Sequence, residues 1–520
     1  MKVSSRSEFE PAKSSIIRMP SFTLLAGVVI LGFFLLALMS QNPQHPWGDD
    51  WAQYVLHAQN ILTGNAYADT GYLFNPDFPN VGPPTYPPGL PLLLVPTLAA
   101  YGVNILAFKI VSLVCTVLAL LVAFRLLSVV VGQDNALITI LVLTLHPYVW
   151  ELGQTISSEA PYLLFNLAVL WWAVRPVSRG AAAIAAGMLL GLLIFYSVSV
   201  RSIGITLLPA VIIYGWAHRK PLAWLMATAI TLAVMIWLQS RFLVQPTVYE
   251  NELKVPTIGL LVGNAYGYLN ALSRWFPLPA GLGIVSATAV AVLAAVGAWS
   301  ICMRPQAANG PAATGVRAIA ARVPLVLWYL AFYLGALWVA AIVPDARYLL
   351  PVMPIIIGFA VAGAAFVFRR FSASRSITLA AVVLLAAYCA ALHFRASNID
   401  FRESSVEVAT CGPCLEMFTF VRTTTPSTSV VMFVKPRAMA LLGERPSWRP
   451  ANRYTLEELQ RNMRERRIDI VVTGAPGSKF SELFPPSEAQ AQLIRGSTTQ
   501  LLFRNSMFDV IQFNPVEAAH

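Results

Sequence analysis

Residues 21–54 read SFTLLAGVVILGFFLLALMSQNPQHPWGDDWAQY, a run of 19 apolar or small residues from Ser21 to Met39 that ends in an acidic pair between tryptophans. As a helix rising about 1.5 Å per residue, such a run covers the roughly 30 Å hydrocarbon core of a bilayer. It follows a tail bearing Lys2, Arg6, Lys13 and Arg18. The run is too long for a signal-peptide core and lacks a small-x-small cleavage site, so it reads as an uncleaved first span with the N-terminus inside.

Working outward, runs of the same kind recur at Asn104–Leu127, Ala136–Trp150, Glu159–Val174, Ala181–Val200, Ile203–Ala217, Leu222–Leu243, Gly281–Met303, Val323–Val343, Leu349–Phe368 and Ile377–Phe394, making eleven expected spans. The 520 residues are 57% hydrophobic and 12% charged. Soluble domains carry about 25% charged residues, so a soluble enzyme is excluded. The net charge of +11 does not point to nucleic acid, because the basic residues are scattered between apolar runs rather than clustered on one soluble face.

Eleven spans with the N-terminus inside put fifteen basic residues on the inner side: Lys2, Arg6, Lys13, Arg18, Arg125, Arg175, Arg179, Arg219, Lys220, Arg304, Arg317, Arg322, Arg369, Arg370 and Arg375. Up to residue 394 the outer side holds six, namely Lys109, Arg201, Arg241, Lys254, Arg274 and Arg347. This is the positive-inside bias expected of a correct orientation. The acidic residues lean the other way, with nine of twelve outside, so polar chemistry gathers on the outer face.

Three regions follow: a cytoplasmic tail at 1–20, a transmembrane region at 21–394 with its long outer loop at 41–103, and an extracytoplasmic region at 395–520, periplasmic in a Gram-negative cell. The last region is polar, with a β-like run Ser429–Val434, a capping box at Thr455 and Glu458, a strand Ile468–Thr473, and strand candidates Gln500–Arg504 and Phe508–Phe513. These predict a small α/β domain. Gly474-Ala475-Pro476-Gly477 is a turn rather than a phosphate cradle.

The loop 41–103 has no Lys or Arg, four Asp, and eight Pro between Pro76 and Pro96. Trp51, Tyr54, Val55, Ala58, Ile61 and Leu62 share a helical face ended by Gly64, the pattern of a helix lying on the membrane surface. The run Gly89–Ala100 is too short and Pro-broken to span. Among the cysteines, Cys115, Cys302 and Cys389 sit in apolar spans as small core residues. Cys411-Gly412-Pro413-Cys414 reads as a local disulfide ahead of a redox pair or half a metal site, because no second C-x-x-C and no His cluster follows.

The acidic pair Asp49-Asp50 at the start of the surface helix is placed to take a proton from an acceptor hydroxyl. The alternative is a plain helix N-cap at Asp50 with a solvated Asp49. For the outer cations the alternative to a functional role is snorkelling or simple pairing, as of Arg347 with Asp345.

Four stretches resemble the GT-C superfamily of integral-membrane glycosyltransferases, in the bacterial branch related to protein O-mannosyltransferases and aminoarabinose transferases. They are Asp50-x-x-x-Tyr54-x-x-x-Ala58 with Gly64, Tyr86-Pro87-Pro88-Gly89-Leu90-Pro91 leading to Gly102 and Lys109, Ser157-Ser158-Glu159, and Arg347-Tyr348-x-x-Pro351-x-x-Pro354. The family often carries Asp-Glu where this chain has Asp49-Asp50, which leaves the choice of carboxylate open.

The resemblance implies a multi-span α-helical GT-C-like enzyme that takes a hexosyl or pentosyl unit from a polyprenyl-phosphate donor, with inversion. The acceptor is a lipid, a glycan or a protein at the outer face of the inner membrane, as in cell-envelope or lipopolysaccharide modification. Asp50, Asp49 and Glu159 become the catalytic candidates. Arg201, Arg347, Lys109 and Arg274 are the candidates for the donor phosphate, and Tyr54, Tyr86 and Tyr348 for substrate positioning. A monophosphate leaving group is neutralised by arginines, so no cofactor is required, though His45 and His57 beside the acidic pair leave a divalent-ion site open.

Three rival classes compete, one of them a non-catalytic membrane assembly factor whose C-terminal domain binds a partner. A secondary transporter is disfavoured by the absence of an internal repeat, and a polysaccharide polymerase or ligase by the early position of the long loop.

Overall fold

The computed structural model describes residues 21–242, 257–277, 282–303, 315–370, 387–388, 391, 408–496 and 499–513. The expected inner tail at 1–20, Lys254 and most of the expected span Ile377–Phe394 lie outside the described residues.

Helix α1 (Ser21–Met39) is followed by α2 (Asp50–Thr63), strand β1 (Tyr72–Leu73) and α3 (Gly89–Tyr101). The helical body then runs α4 (Ile105–Val130), α5 (Gln133–Leu145), α6 (Pro147–Gln154), α7 (Glu159–Ala173), α8 (Ala181–Val200), α9 (Leu207–Ala217), α10 (Leu222–Phe242), α11 (Ile258–Trp275), α12 (Gly283–Cys302), α13 (Gly315–Arg322), α14 (Leu325–Val339) and α15 (Met353–Arg370). Among the described residues six helices are long and apolar enough to cross a membrane, or eight if the bent pairs α5–α6 and α13–α14 each count as one.

The expected span Ala136–Trp150 is bent by 61° before Pro147, whose missing N–H and fixed φ start a new helix. The segment between Leu243 and Gly281, where no span is expected, contains the amphipathic helix α11. The helices pack by close backbone approach. Gly297 of α12 and Gly363 of α15 face each other, and a Cβ on either collides with the opposing backbone carbonyl.

Helix α2 does not lie with one face open. Nine of its 14 residues are buried, including Trp51, Tyr54 and His57, because α3 covers one side and the helix Pro436–Leu442 the other. Gly64 ends it in the left-handed region at φ 76°.

Residues 408–513 carry five strands of a sheet with order β1-β3-β2-β4-β6-β5: β2 (Val430–Met432), β3 (Ser447–Trp448), β4 (Ile468–Gly474), β5 (Thr499–Arg504) and β6 (Phe508–Phe513). Strands β1, β3, β2 and β4 are parallel, and β6 runs antiparallel between β4 and β5. Parallel pairing needs crossovers, supplied by Pro436–Leu442 and by Leu456–Glu465, the latter capped by the Thr455–Glu458 box.

The edge strand β1 comes from the loop 41–103, with Tyr72 opposite Ser447. Trp47 of that loop sits among Phe418, Phe433, Phe480 and Phe508, and His45 O accepts the Ala409 N–H at 2.8 Å. The loop and the C-terminal strands therefore share one sheet and one apolar core.

Candidate active site

Successive residues point about 100° apart around a helix, so the two aspartates at the start of α2 diverge. Asp49 accepts the backbone N–H of Arg437 at 3.2 Å and of Ala438 at 3.1 Å. It thereby caps the helix Pro436–Leu442, whose own N-cap Lys435 makes no side-chain cap bond. Burial pushes the Asp49 carboxyl above its usual value, against the pull of Arg437 and Lys435. Asp50 is not a cap: it is the first residue of α2, and its half-exposed carboxylate turns to side chains. Its Oδ1 accepts from Tyr86 Oη at 2.7 Å and from Arg437 Nη1 at 3.0 Å. Its Oδ2 lies 3.6 Å from Arg347 Nη1.

A second acid lies at the start of α7. Glu159 Oε1 pairs with Arg201 Nη1 at 2.5 Å, both side chains largely buried. Arg201, between α8 and a 3-10 turn, also donates to Ser158 Oγ at 3.3 Å, which in turn accepts from Tyr54 Oη at 3.2 Å.

Two bridges join the halves. The rings of Tyr54 and Tyr86 lie 4.9 Å apart. The Tyr348 ring sits 5.6 Å from the Arg201 guanidinium and 5.1 Å from that of Arg347. Asp345 takes the backbone N–H of Arg347 at 2.9 Å and caps the turn Ala346–Tyr348, leaving the guanidinium for Asp50 and the Tyr348 hydroxyl. The simple Arg347–Asp345 pair is thus replaced by a cap.

Burial, with the Asp50 charge next, holds the Tyr86 phenol above its usual value, and burial with the Asp50 and Glu159 charges does the same to Tyr54. Both phenols remain donors. Three guanidiniums, those of Arg201, Arg347 and Arg437, here meet the carboxylates of Asp50 and Glu159, with Asp49 beside Arg437.

Of the remaining sequence candidates, Lys109 lies away from the cluster. Its buried ammonium donates to the carbonyls of Asn42, at 3.2 Å, and Gln44, pinning the chain between α1 and α2. Arg274 is exposed at the end of α11 and, among the described residues, shares no hydrogen bond or ion pair with the cluster.

His45 and His57 do not fit a metal. Each ring has both nitrogens engaged: His45 with Pro46 O at 2.9 Å and the Ile156 N–H at 3.0 Å, His57 with Tyr67 O at 2.8 Å and the Tyr86 N–H at 3.2 Å. Burial pushes them down to about 3 and about 4. Among the described residues no three His, Cys, Asp or Glu side chains are grouped to hold an ion. Cys411 and Cys414 form a disulfide at the start of the helix Gly412–Thr424.

Sequence reasoning missed Arg437. The one available signal was a single arginine inside the apolar stretch Pro436-Arg437-Ala438-Met439-Ala440-Leu441-Leu442.

No family model and no curated protein sequence matches the chain. Solved structures do match. The Archaeoglobus fulgidus oligosaccharyltransferase in complex with Zn and sulfate is 11% identical, with a TM-score of 0.57 over 87% of this chain and 68% of that one. The arabinofuranosyltransferase AftD from Mycobacteria is 13% identical, with a TM-score of 0.55 over 95% of this chain but only 40% of that one. ArnT from Cupriavidus metallidurans bound to undecaprenyl phosphate is 14% identical, with a TM-score of 0.44 over 94% and 98%. At such identities the likeness is one of fold alone, and the oligosaccharyltransferase and AftD are the ones that carry it.

Proposed function

We propose that this chain is an integral-membrane glycosyltransferase that moves a hexosyl or pentosyl unit from a polyprenyl-phosphate donor to a lipid, glycan or protein acceptor. The reading places the reaction at the outer face of the cytoplasmic membrane, with eleven spans, the N-terminus inside and the C-terminal sheet outside. The disulfide Cys411–Cys414 supports that side, since such bonds persist in oxidising compartments.

The observation that carries the proposal is the meeting of Asp50, Glu159, Arg201 and Arg347 from four separated segments in one cluster. A structurally similar archaeal oligosaccharyltransferase has been solved with dolichol-phosphate, a lipid of the class proposed here.

In the proposed reaction Asp50 Oδ2 takes the proton of the acceptor hydroxyl or amine. The acceptor's oxygen or nitrogen bonds to the anomeric carbon as the bond from that carbon to the phosphate oxygen breaks. Polyprenyl phosphate leaves with the electron pair, its charge held by Arg201 and Arg347, and one displacement inverts the anomeric centre. Glu159 holds Arg201 in place, Tyr54, Tyr86 and Tyr348 join the two halves of the cluster, and no role is given to Lys109 or Arg274. No step is assigned to a metal.

The test is transfer of radiolabelled sugar from membrane glycolipid. Asp50→Asn is expected to lower it by about 10²–10⁴-fold, the usual worth of a positioned general base. Full activity in that variant would overturn the assignment.

A further inference from the structure

Asp50 is held by two arginines that differ in kind. Arg347 reaches Oδ2 at 3.6 Å with its side chain 51% exposed, whereas Arg437 reaches Oδ1 at 3.0 Å with its side chain wholly buried. Arg437 is also locked. Its Nη1 donates to Tyr86 Oη at 2.9 Å and its Nη2 to Pro83 O at 2.8 Å, while its guanidinium lies 4.8 Å from the Tyr72 ring and 4.9 Å from that of Tyr86. Its Nε–H has no partner among the described residues, and burying an unsatisfied charged donor is costly.

We propose that Arg437 is a positioning residue of this site, the fixed counter-ion that the C-terminal sheet region supplies to Asp50 so that Arg347 is free to move to the donor phosphate. The inference rests on the reading of Asp50 as the base. A phosphate entering beside an aspartate draws the more exposed cation toward itself, and a carboxylate then left without a partner is repelled by the incoming anion. Arg437 cannot follow, because its backbone N–H is tied to Asp49 and its side chain is caged by Tyr72, Tyr86 and Pro83. It keeps Oδ1 occupied and leaves Oδ2 aimed at the acceptor proton. The C-terminal region is in this way part of the reaction centre rather than an appended binding module, and the helix Pro436–Leu442 is the element that delivers the residue.

The experiment compares Arg437→Gln, Arg437→Lys and Arg347→Gln in the full-length protein purified in detergent, reading dolichyl phosphate binding and sugar transfer separately. Arg437→Gln is expected to bind dolichyl phosphate within about twofold of the parent while losing about 10²–10³-fold in transfer, the range found when one preorganised donor is removed. Arg437→Lys is expected to recover about tenfold of that loss by restoring the charge. Arg347→Gln is expected to weaken dolichyl phosphate binding about tenfold.

Retention of transfer by Arg437→Gln, a parallel loss of lipid binding in it, or a lysine variant no better than the glutamine one would each overturn the proposal. If Arg437→Gln does not fold, Tyr86→Phe, which removes the other donor to Oδ1, must show the same split, and loss of lipid binding in it counts against the inference. Asp50→Asn is assayed alongside. Activity in that variant sinks the base reading itself, whereas an inactive Asp50→Asn beside an active Arg437→Gln sinks only the role of Arg437.

Discussion

The carboxylate of Asp49 accepts the backbone N–H of Ala438 at 3.1 Å, so an aspartate of the loop between α1 and α2 caps a helix that begins nearly four hundred residues later. That bond separates two neighbouring acids by role. Asp49→Ala is expected to destabilise the protein by about 0.5–2 kcal/mol, the worth of an N-cap, read as a lower Tm with measurable transfer remaining. Asp50→Asn is expected to do the reverse, keeping Tm and losing transfer. Matching effects in the two variants would contradict the division.

Gly82 makes room for the cluster. Its φ of +102° disfavours any side chain, and a Cβ there would stand 2.7 Å from both Arg437 Nη2 and Tyr86 Oη. Gly82→Ala is therefore expected to displace Arg437 or the turn that carries Pro83 and Tyr86, lowering transfer at least tenfold, since a misplacement of about 1 Å already costs about 10²-fold in rate. A crystal or cryo-EM structure of the variant should show the Arg437–Asp50 contact lengthened. Unchanged activity would mean that the cluster tolerates the shift.

Glu159 and Arg201 are largely shielded, and removing one partner leaves the other charge uncompensated. Glu159→Gln and Arg201→Met are each expected to cost stability of the order of 3–5 kcal/mol. The double variant should cost less than the two losses added, by about 0.5–3 kcal/mol of coupling. Thermal unfolding of the four proteins measures this, and additive losses would show that the pair is not coupled.

Much of this arrangement was legible in the sequence, for identifiable reasons. The apolar runs at 105–130, 181–200 and 222–242 announce themselves because lipid admits only helices whose backbone is satisfied internally. Strands β4 and β6 were readable from β-branched and aromatic runs, and the Thr455 box from its spacing. What escaped were the long-range joins. Strand β1 is two residues long and pairs with Ser447 and Trp448 across more than 370 positions, so no local pattern marks it. Helix α11 escaped because Asn264, Asn270, Ser273 and Arg274 break up its apolar run, and Asn264 donates to the distant carbonyls of Trp338 and Ala340. Asp50, Glu159, Arg201 and Arg347 were found one at a time by residue type and position. That they touch depends on turns, such as the Asp345 cap, whose geometry is set by packing.

Two of the buried histidines, His45 and His57, give the protein a pH signature. His45 is held down to about 3 and His57 to about 4, against an ordinary value of 6.5, chiefly by burial. The unfolded chain therefore binds more protons than the folded one between those limits, so the stability from each neutral ring is present above about pH 6.5 and is lost as pH falls toward its folded value. Between pH 6.5 and pH 5 the loss is about 1.5 kcal/mol per histidine, the slope rising toward about 1.4 kcal/mol per pH unit as the unfolded ring becomes fully protonated. Tm in detergent is expected to fall over that interval. His57→Gln, which keeps a polar group near Tyr67 O and the Tyr86 N–H but cannot titrate, should start less stable and fall less steeply. A slope as steep as the parent's would show that His57 is not among the groups that couple stability to pH.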